Sequence, residues 1–353
     1  MRIFRRERRL NLALQGGGVH GAFTWGVLDR LLGEEGLQIG WISGTSAGAV
    51  NAVAVANGLA NGSAALAQET LSAIWYEVEK AGVTDLLRLN PFLFGLAKAG
   101  QMPNMTAFFS PYSFNPGGFD PLRKILEEHI DFEAIRKARD LELVLAATDV
   151  ATGRARFFGR SEVTVDVVLA SACLPTLHHA VEIDGRSYWD GGFSANPDLL
   201  KIAAESPIAD TLLVLLNPLH HANVPKSAKA IEDRVNTVTF NQPLIRDIEA
   251  ILRARKASDS WLKGRDNPVG RMKAHRFHLI SAGEFTEGLG ASSKIMPDKE
   301  LLEYLVAAGR QEGQLWLADN KSHIGKRSTV DLQETFFSDP VVEIPEPDLK
   351  DAG

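Results

Sequence analysis

A serine flanked by small residues is the first candidate for chemistry in this chain. The stretch ISGTSAGAVNA, residues 42–52, places Ser46 between Gly44 and Gly48, directly after an apolar segment. A serine at such a junction can be the N-cap of a helix, because its side-chain oxygen accepts a backbone N–H. It can also be a nucleophile on a strained turn, where neighbouring glycines relieve steric crowding. G-x-S-x-G alone is a weak signal, so the rest of the chain must decide.

A second motif, QGGGVHG at residues 15–21, lies between a predicted strand and a predicted helix. Its glycines satisfy G-x-G-x-x-G, but a dinucleotide site also requires an acidic residue at the end of the second strand. The second strand here ends in Ser43 and Gly44, which disfavours a nucleotide. The loop amides could instead form an oxyanion hole for a carbonyl under attack. Because neighbouring parallel strands end at the same edge of a sheet, we expect the loop beside Ser46.

The third motif, SYWDGGFSANP at residues 187–197, supplies a candidate base. An apolar strand ends there in Asp190, which two glycines follow. An aspartate before Gly-Gly is most simply a turn residue. With Ser46 and the glycine loop present, Asp190 becomes the natural general base. A carboxyl of ordinary pKa, about 3.9, would be a weak base for a hydroxyl. We therefore expect stabilisation of the oxyanion by the loop amides to contribute more to the rate acceleration than proton transfer to Asp190 does.

The elements that must position these motifs alternate between strands and helices. Apolar patterns predict strands over 10–14, 40–43, 141–148, 154–158, 211–217 and 275–281, and helices over 22–34, from 47 onwards and over 165–173. A long helical pattern over 225–262 is interrupted at Pro243. The alternation predicts an α/β layer fold around a mostly parallel sheet.

Composition limits the class of protein. The 353 residues are 45% hydrophobic and 23% charged, as in soluble globular proteins, and suffice for one large or two ordinary domains. The net charge of −6 disfavours nucleic acid as a partner. Cys173 is the single cysteine and is most simply a core residue. A single cysteine cannot form an internal disulfide, which is typical of a protein in a reducing compartment. No apolar segment is long enough to span a bilayer, so we expect a cytoplasmic protein.

The chain divides into segments of different character. Residues 1–9 form a basic tail that could touch anionic lipid or be solvated, and residues 10–218 carry the motifs. Within them, residues 90–118 are rich in Phe, Met, Pro and Gly, which predicts a lid or acyl-binding wall, or equally a packed connector. Residues 219–338 are an added helical and strand region that packs on the motif-bearing part or forms an oligomer surface. The tail at 339–353 is expected to be extended or disordered.

The order GGGxxG, GTSAG, DGG resembles that of the patatin-like phospholipases, a family of lipid acyl hydrolases. The resemblance covers roughly residues 10–218 and extends to ATDVATG at 147–153 and ASACLP at 170–175. It implies a three-layer α/β/α sandwich and a Ser–Asp dyad without metal or cofactor, with Ser46 as nucleophile and Asp190 as base. The implied oxyanion-hole residues are Gly16, Gly17, Gly18 and Val19, and the supporting motif glycines are Gly21, Gly44, Gly48, Gly191 and Gly192.

The implied partner is a phospholipid or another lipid ester, met through transient peripheral membrane contact. Three alternatives stay open: an esterase or thioesterase with the same dyad and a soluble acyl substrate, a Ser-His-Asp triad, and a non-catalytic lipid-binding module. The histidines available to a triad are His275, His278 and His323, while His178 and His179 could line the site. Head-group preference and a homo-oligomeric state are left open.

One residue departs from the family pattern. His20 stands where the family often has Arg or Lys. A neutral imidazole holds an anionic head group less well than a cation does, and it charges only below about pH 6.5. The departure therefore bears on phosphate preference more than on hydrolysis.

Overall fold

The structure, a computed structural model, describes residues 7–89, 110–221, 224–257, 267–287, 289, 291–294 and 297–338. Most of the segment predicted as a lid, residues 90–109, lies outside the described residues. The same holds for residues 1–6 of the basic tail and for residues 339–353.

Within the described residues the fold is built on an eight-stranded sheet of order β5-β6-β3-β2-β1-β7-β8, with β4 also paired to β3. The strands are β1 (Arg8–Leu14), β2 (Leu37–Gly44), β3 (Glu142–Asp149), β4 (Ala155–Gly159), β5 (Val181–Ile183), β6 (Arg186–Asp190), β7 (Asp210–Leu215) and β8 (Arg276–Ser281). Strands β3, β2, β1, β7 and β8 run parallel, and β4, β5 and β6 join antiparallel. The prediction of a mostly parallel central sheet is confirmed.

Helices cover both faces of the sheet. One face carries α1 (Gly21–Leu32), α2 (Ala47–Ala60), α3 (Ala64–Leu89), α5 (Pro121–His129), α6 (Phe132–Lys137), α7 (Val165–Ser171) and α12 (Lys299–Asn320). The other carries α8 (Leu199–Glu205), α9 (Ala228–Lys256), α10 (Pro268–Ala274) and α13 (Leu332–Phe337). Single-turn helices α4 (Pro111–Phe114) and α11 (Gly283–Thr286) lie in connections. No described helix has both the length and the apolar character needed to cross a bilayer.

The strands alternate between two hydrophobic clusters, which makes the fold a three-layer α/β/α sandwich. In β1, Leu12 and Leu14 are buried under the first layer of helices, whereas Ala13 packs on the second. In β7, Leu212 belongs to the first cluster and Leu213 to the second. This is the period of two that a strand buried on both faces requires.

The pairing of β3 brings two sequence-distant motifs together. Residues Val144 and Leu145 pair with both β2 and β4, while Ala147 pairs with both β4 and β6. A strand has only two edges, so β2 and β6 must share one edge of β3, one after the other. Strand β2 stops at Gly44 opposite Leu145, and the last residue of β6, Asp190, lies opposite Ala147. The end of β6 therefore meets the chain just after β2.

Two element boundaries differ from the sequence-based expectation. Strand β1 begins at Arg8, so the basic segment is not a free tail up to residue 9. Helix α9 continues through Pro243 as one helix from Ala228 to Lys256. A proline inside a helix costs about 3 kcal/mol through its missing N–H and its ring clash. Burial of Phe240 and Leu244 on either side of the proline offsets this cost.

Candidate active site

Ser46 occupies a strained turn between β2 and α2. Its backbone has φ 56° and ψ −125°, a left-handed φ that costs a residue with a Cβ about 1–3 kcal/mol. The Ser46 N–H donates to Ser171 Oγ at 3.0 Å, which helps to hold the turn. Ser46 stands at the N-cap position of α2, yet its side chain makes no capping hydrogen bond. The N-cap interpretation of this serine is therefore wrong.

The Ser46 hydroxyl instead points at Asp190. Ser46 Oγ donates to Asp190 Oδ2 at 2.7 Å, and the Gly192 N–H donates to Asp190 Oδ1 at 2.7 Å. The backbone of the aspartate is held as well, since its N–H donates to the Cys173 carbonyl at 2.7 Å and Thr148 Oγ1 donates to its carbonyl at 2.8 Å. Ser46 is 7% exposed and Asp190 is fully buried. A carboxylate thus has its two oxygens occupied by one hydroxyl and one amide.

Burial sets the proton affinity of this carboxyl. Desolvation raises the pKa of Asp190 from 3.8 to about 7, against the lowering effect of the hydrogen bonds from Ser46 and Gly192. The expectation of an ordinary pKa near 3.9 is therefore wrong. A base whose pKa lies near neutral pH accepts a proton from a hydroxyl more readily than an ordinary aspartate does.

The glycine loop lies against the serine turn. A Cβ placed on Gly16 would lie 2.7 Å from Ser46 Cβ, so only glycine fits this approach. The Gly16 N–H donates to Asn196 Oδ1 at 2.7 Å and is thereby engaged. The amides of Gly17, Gly18 and Val19 make no hydrogen bond to any residue that the structure describes. Of the four predicted oxyanion-hole residues, these three have amides left for a ligand.

A segment far along the chain packs on the same loop. Gly18 has φ +58°, and a Cβ there would lie 2.1 Å from the Lys294 carbonyl oxygen. The neighbouring Ser293 Oγ is 2.8 Å from His20 Nε2, and Lys294 Nζ donates to Asn217 Oδ1 at 2.7 Å. The short turn Ala291–Lys294 thus fixes the loop from outside the motif-bearing part of the sequence.

His20 is buried, so its imidazole does not face the solvent side of the site, where the head group of a lipid would lie. Desolvation and the nearby charge of Lys294 lower the pKa of His20 to about 3. The imidazole is therefore neutral at any physiological pH, and the expectation that it charges near pH 6.5 is wrong. Burial also lowers the pKa of Lys294, to about 8.

The supporting glycines are sites of close backbone packing. A Cβ at any of them would meet another atom at 2.2 to 2.7 Å, closer than real Cβ contacts: Gly21, Gly44, Gly48, Gly191 and Gly192. The atoms met belong to β1 (Leu14), β3 (Ala146), the first turn of α2 (Ala47 and Gly48) and α9 (Phe240). Gly21, Gly48 and Gly191 thus allow the three motifs to touch, and Gly192 allows the DGG motif to pack on α9.

The three histidines considered for a triad lie near the amino-terminal end of β7, whereas Ser46 lies near the carboxyl-terminal ends of the parallel strands. His278 Nε2 is 3.2 Å from Asp210 Oδ1, and His275 Nε2 is 2.7 Å from Thr211 Oγ1. These partners are the first two residues of β7, whereas Ser46 follows the last residue of the parallel strand β2. His323 belongs to the same end, since Gly325, two residues on, donates its N–H to Asp210. Within the described part of the chain, no histidine hydrogen-bonds to Ser46 or Asp190.

The other single residues near the site have structural partners. His178 lies 3.8 Å from Asp120, and His179 Nε2 lies 3.2 Å from the Pro111 carbonyl. Burial raises the pKa of the Cys173 thiol to about 12, so the predicted core cysteine stays protonated.

In the described part of the chain, the acidic and imidazole groups close enough to share a cation are Glu77, Glu128 and His129. His129 Nε2 is already 2.9 Å from Glu77 Oε1, and none of the three contacts the serine turn through a described hydrogen bond.

Sequence reasoning missed four residues that hold the site. Asn196 and Ser171 lie inside quoted motifs, SYWDGGFSANP and ASACLP, so a signal existed for both. Buried side-chain oxygens that accept backbone amides of other motifs are a recognisable role for Asn and Ser. Ser293 and Lys294 carry no comparable signal, because their contact with the glycine loop is formed only in three dimensions.

Comparison with known proteins places these features in a family. A family model described as patatin-like phospholipase matches residues 12–202, more than half of the chain. The crystal structure of VipD from Legionella pneumophila is similar, with a TM-score of 0.41 and 14% sequence identity over 89% of this chain and 67% of that chain. No match was found among curated proteins.

Proposed function

Because the chain belongs to the patatin-like phospholipase family, we propose that it hydrolyses acyl ester bonds of phospholipids or related lipid esters. The observation that carries the proposal is the 2.7 Å hydrogen bond from Ser46 Oγ to Asp190 Oδ2. A hydroxyl on a strained strand-to-helix turn, bonded to a buried carboxylate, is the arrangement that nucleophilic catalysis requires.

The first half-reaction forms an acyl-enzyme. Ser46 Oγ attacks the acyl carbonyl carbon while its proton moves to Asp190 Oδ2. The carbonyl oxygen becomes an oxyanion, which the amides of Gly17, Gly18 and Val19 stabilise. These amides are held in place by contacts on both sides of the loop, so they need little reorganisation when charge develops. The tetrahedral species then collapses, the ester C–O bond breaks, and Asp190 gives its proton to the departing alcohol.

The second half-reaction releases the fatty acid. Water attacks the acyl carbon as Asp190 takes one of its protons, and the same amides hold the second oxyanion. Collapse breaks the bond to Ser46 Oγ, which recovers the proton from Asp190. The cycle consumes one water and yields a free fatty acid and an alcohol, with no other co-reactant.

The experiment that tests the proposal is a lipid panel incubated with the purified protein, with mass spectrometry of the released acids. The panel contains phospholipids of several head groups, a lysophospholipid, and a soluble short-chain ester. Ser46→Ala and Asp190→Asn should each remove turnover and labelling by a fluorophosphonate. Ser187→Ala is the matched control, since this serine lies in the same SYWDGGFSANP motif and is exposed. A folded Ser46→Ala protein that still releases fatty acid would contradict the proposed nucleophile.

The lipid substrate also implies transient contact with a membrane surface. The predicted contact through the N-terminal arginines falls largely on residues 1–6, outside the described residues. A cytoplasmic site of action stays a prediction from the sequence.

A further inference from the structure

Lys294 lies against the loop whose amides are proposed to hold the oxyanion. A Cβ added to Gly18 would lie 2.1 Å from the Lys294 carbonyl oxygen and 3.2 Å from the Lys294 Cβ. The preceding residue, Ser293, has its Oγ 2.8 Å from His20 Nε2. The turn that carries Ser293 and Lys294 thus contacts both ends of the short helical segment Gly18–His20.

The ammonium group of Lys294 is tied to the same loop through two buried side chains. Lys294 Nζ donates to Asn217 Oδ1 at 2.7 Å. The N–H groups of Leu216 and Asn217 in turn donate to Gln15 Oε1, at 2.8 Å and 3.0 Å. Gln15 is fully buried and is the residue that begins the glycine loop. These bonds hold the positive charge of Lys294 beside the loop.

The charge of Lys294 acts on the loop. Together with desolvation, which has the larger effect, it lowers the pKa of His20 to about 3. His20 directly follows Val19, so the amides of Gly18 and Val19 lie within the range of the same charge. An oxyanion at these amides is attracted by the ammonium, and the attraction is stronger in a site that excludes water than at the surface.

Other charged and titratable groups line a cavity of about 190 Å³ together with Lys294. Among the described residues they are Asp233 and Arg234 on α9, His220 and His221 after β7, Glu287 after α11, and His20. Burial lowers the pKa of Lys294 to about 8, against the smaller raising effect of Asp233. At pH 7 the ammonium is therefore charged, and it loses its proton as the pH rises through 8.

We propose that Lys294 is a positioning residue of the oxyanion hole: its carbonyl fixes Gly18, and its ammonium adds positive potential where the oxyanion forms. The inference rests on the proposed function, since it concerns the same tetrahedral species. Lys294 lies outside residues 12–202, which the family model matches, so this support comes from the C-terminal part of the chain. Because the charge acts on the transition state more than on the bound ester, its loss lowers kcat and leaves KM nearly unchanged.

The test measures kcat and KM for a soluble short-chain ester at pH 7 and pH 9, with the Ser46→Ala protein as the blank for spontaneous hydrolysis. Lys294→Met should lower kcat at pH 7 about tenfold. This is less than the roughly 10²–10³-fold loss typical of a missing oxyanion-hole donor, because the ammonium does not itself bond to the oxyanion. KM should stay within about threefold. The control for loss of a lysine is Lys124→Met on α5, whose side chain is 80% exposed, and it should leave kcat unchanged.

The pH dependence separates the charge from a structural role of the turn. Lys294 loses most of its charge between pH 7 and pH 9, so the ratio of kcat at pH 9 to kcat at pH 7 should be about fivefold lower in the unsubstituted protein than in Lys294→Met. Titration of Asp190 affects both proteins alike and cancels in this comparison. Lys294→Arg stays charged at both pH values, so its ratio should match that of Lys294→Met while its kcat exceeds that of Lys294→Met. Ser293→Ala loosens the same turn but keeps the ammonium, so it should show the low ratio of the unsubstituted protein.

The possible failures are distinguishable. An active unsubstituted protein with the same pH ratio as Lys294→Met and Lys294→Arg would overturn the role of Lys294 and leave the proposed function standing. If Lys294→Met does not fold, the ratio in Lys294→Arg decides alone. If the unsubstituted protein cleaves no ester and Ser46 takes up no fluorophosphonate, the proposed function fails and the inference fails with it.

Discussion

Replacing Asp190 by asparagine should inactivate the protein and also stabilise its fold at alkaline pH. Asparagine has nearly the same shape, and its Oδ1 can accept the Gly192 N–H while its Nδ2 donates to Ser46 Oγ. It cannot accept the serine proton, so turnover is lost. It also carries no charge, so the cost of burying a carboxylate disappears.

The size of the effect follows from the two pKa values of this carboxyl, about 7 in the folded protein and 3.8 ordinarily. Because the folded pKa is the higher, the carboxyl stabilises the fold fully below about pH 4, and this contribution is lost as the pH rises through 7. Between pH 5 and pH 8 the folded state must release a proton that the unfolded chain has already lost. The stability lost corresponds to the roughly two pH units between pH 5 and the folded pKa of about 7. At 1.36 kcal/mol per unit this is about 3 kcal/mol.

The assay is urea-induced unfolding of Asp190→Asn and the unsubstituted protein at pH 5 and pH 8. The stability difference in favour of asparagine should grow by about 3 kcal/mol between the two pH values. Burial also raises the pKa of Asp198 to about 7 and of Asp247 to about 6, but both are present in each protein and cancel in the difference. Asp140→Asn, at an exposed site, is the control for the substitution itself. A difference that is the same at both pH values would refute a raised pKa for Asp190.

Three further outcomes are expected. Gly18→Ala should lower kcat/KM for a soluble ester about 10²-fold or more, because φ +58° and a carbonyl at 2.1 Å leave no room for a methyl group without tilting the loop amides. Gly62→Ala, at φ +75° in open space, is its control and should keep full activity. Asn196→Ala should lower the free energy of unfolding by about 1–3 kcal/mol in urea titrations, since it leaves the buried Gly16 N–H unpaired. His278→Gln should lower the thermal midpoint through its buried aspartate partner yet keep kcat within a few-fold. A hundredfold loss of kcat in a folded His278→Gln protein would restore the triad.

The proximity of the glycine loop and the serine turn could be predicted because strand ends are local signals. An apolar run followed by glycine marks where β1 and β2 stop, and parallel neighbours bring those stops together. The proximity of Asp190 to Ser46 is harder to predict from sequence. It requires β6 to pair with the same edge of β3 as β2, directly beyond the residue where β2 ends. That arrangement depends on strand register, which alternating hydrophobicity alone does not determine.

The electrostatics of the site could not be predicted from sequence. The pKa of Asp190 depends on its complete burial, and the neutral state of His20 depends on burial and on Lys294, which stands hundreds of positions later. The continuity of α9 through Pro243 has the same origin, since contacts with the second cluster outweigh a local helix-breaking preference. Each miss is a case in which tertiary packing overrides a local property.

The pairing of β8 with β7 has a consequence for any shortened form of this protein. A recombinant fragment ending near residue 218, where the motifs end, would lack β8 and leave one side of the fully buried strand β7 without hydrogen-bond partners. Such an open, apolar edge recruits strands from other molecules. The same fragment would lose the Ala291–Lys294 turn that supports Gly18. We expect this fragment to form inclusion bodies on expression, because β7 folds with both of its edges paired only when residues beyond 218 are present.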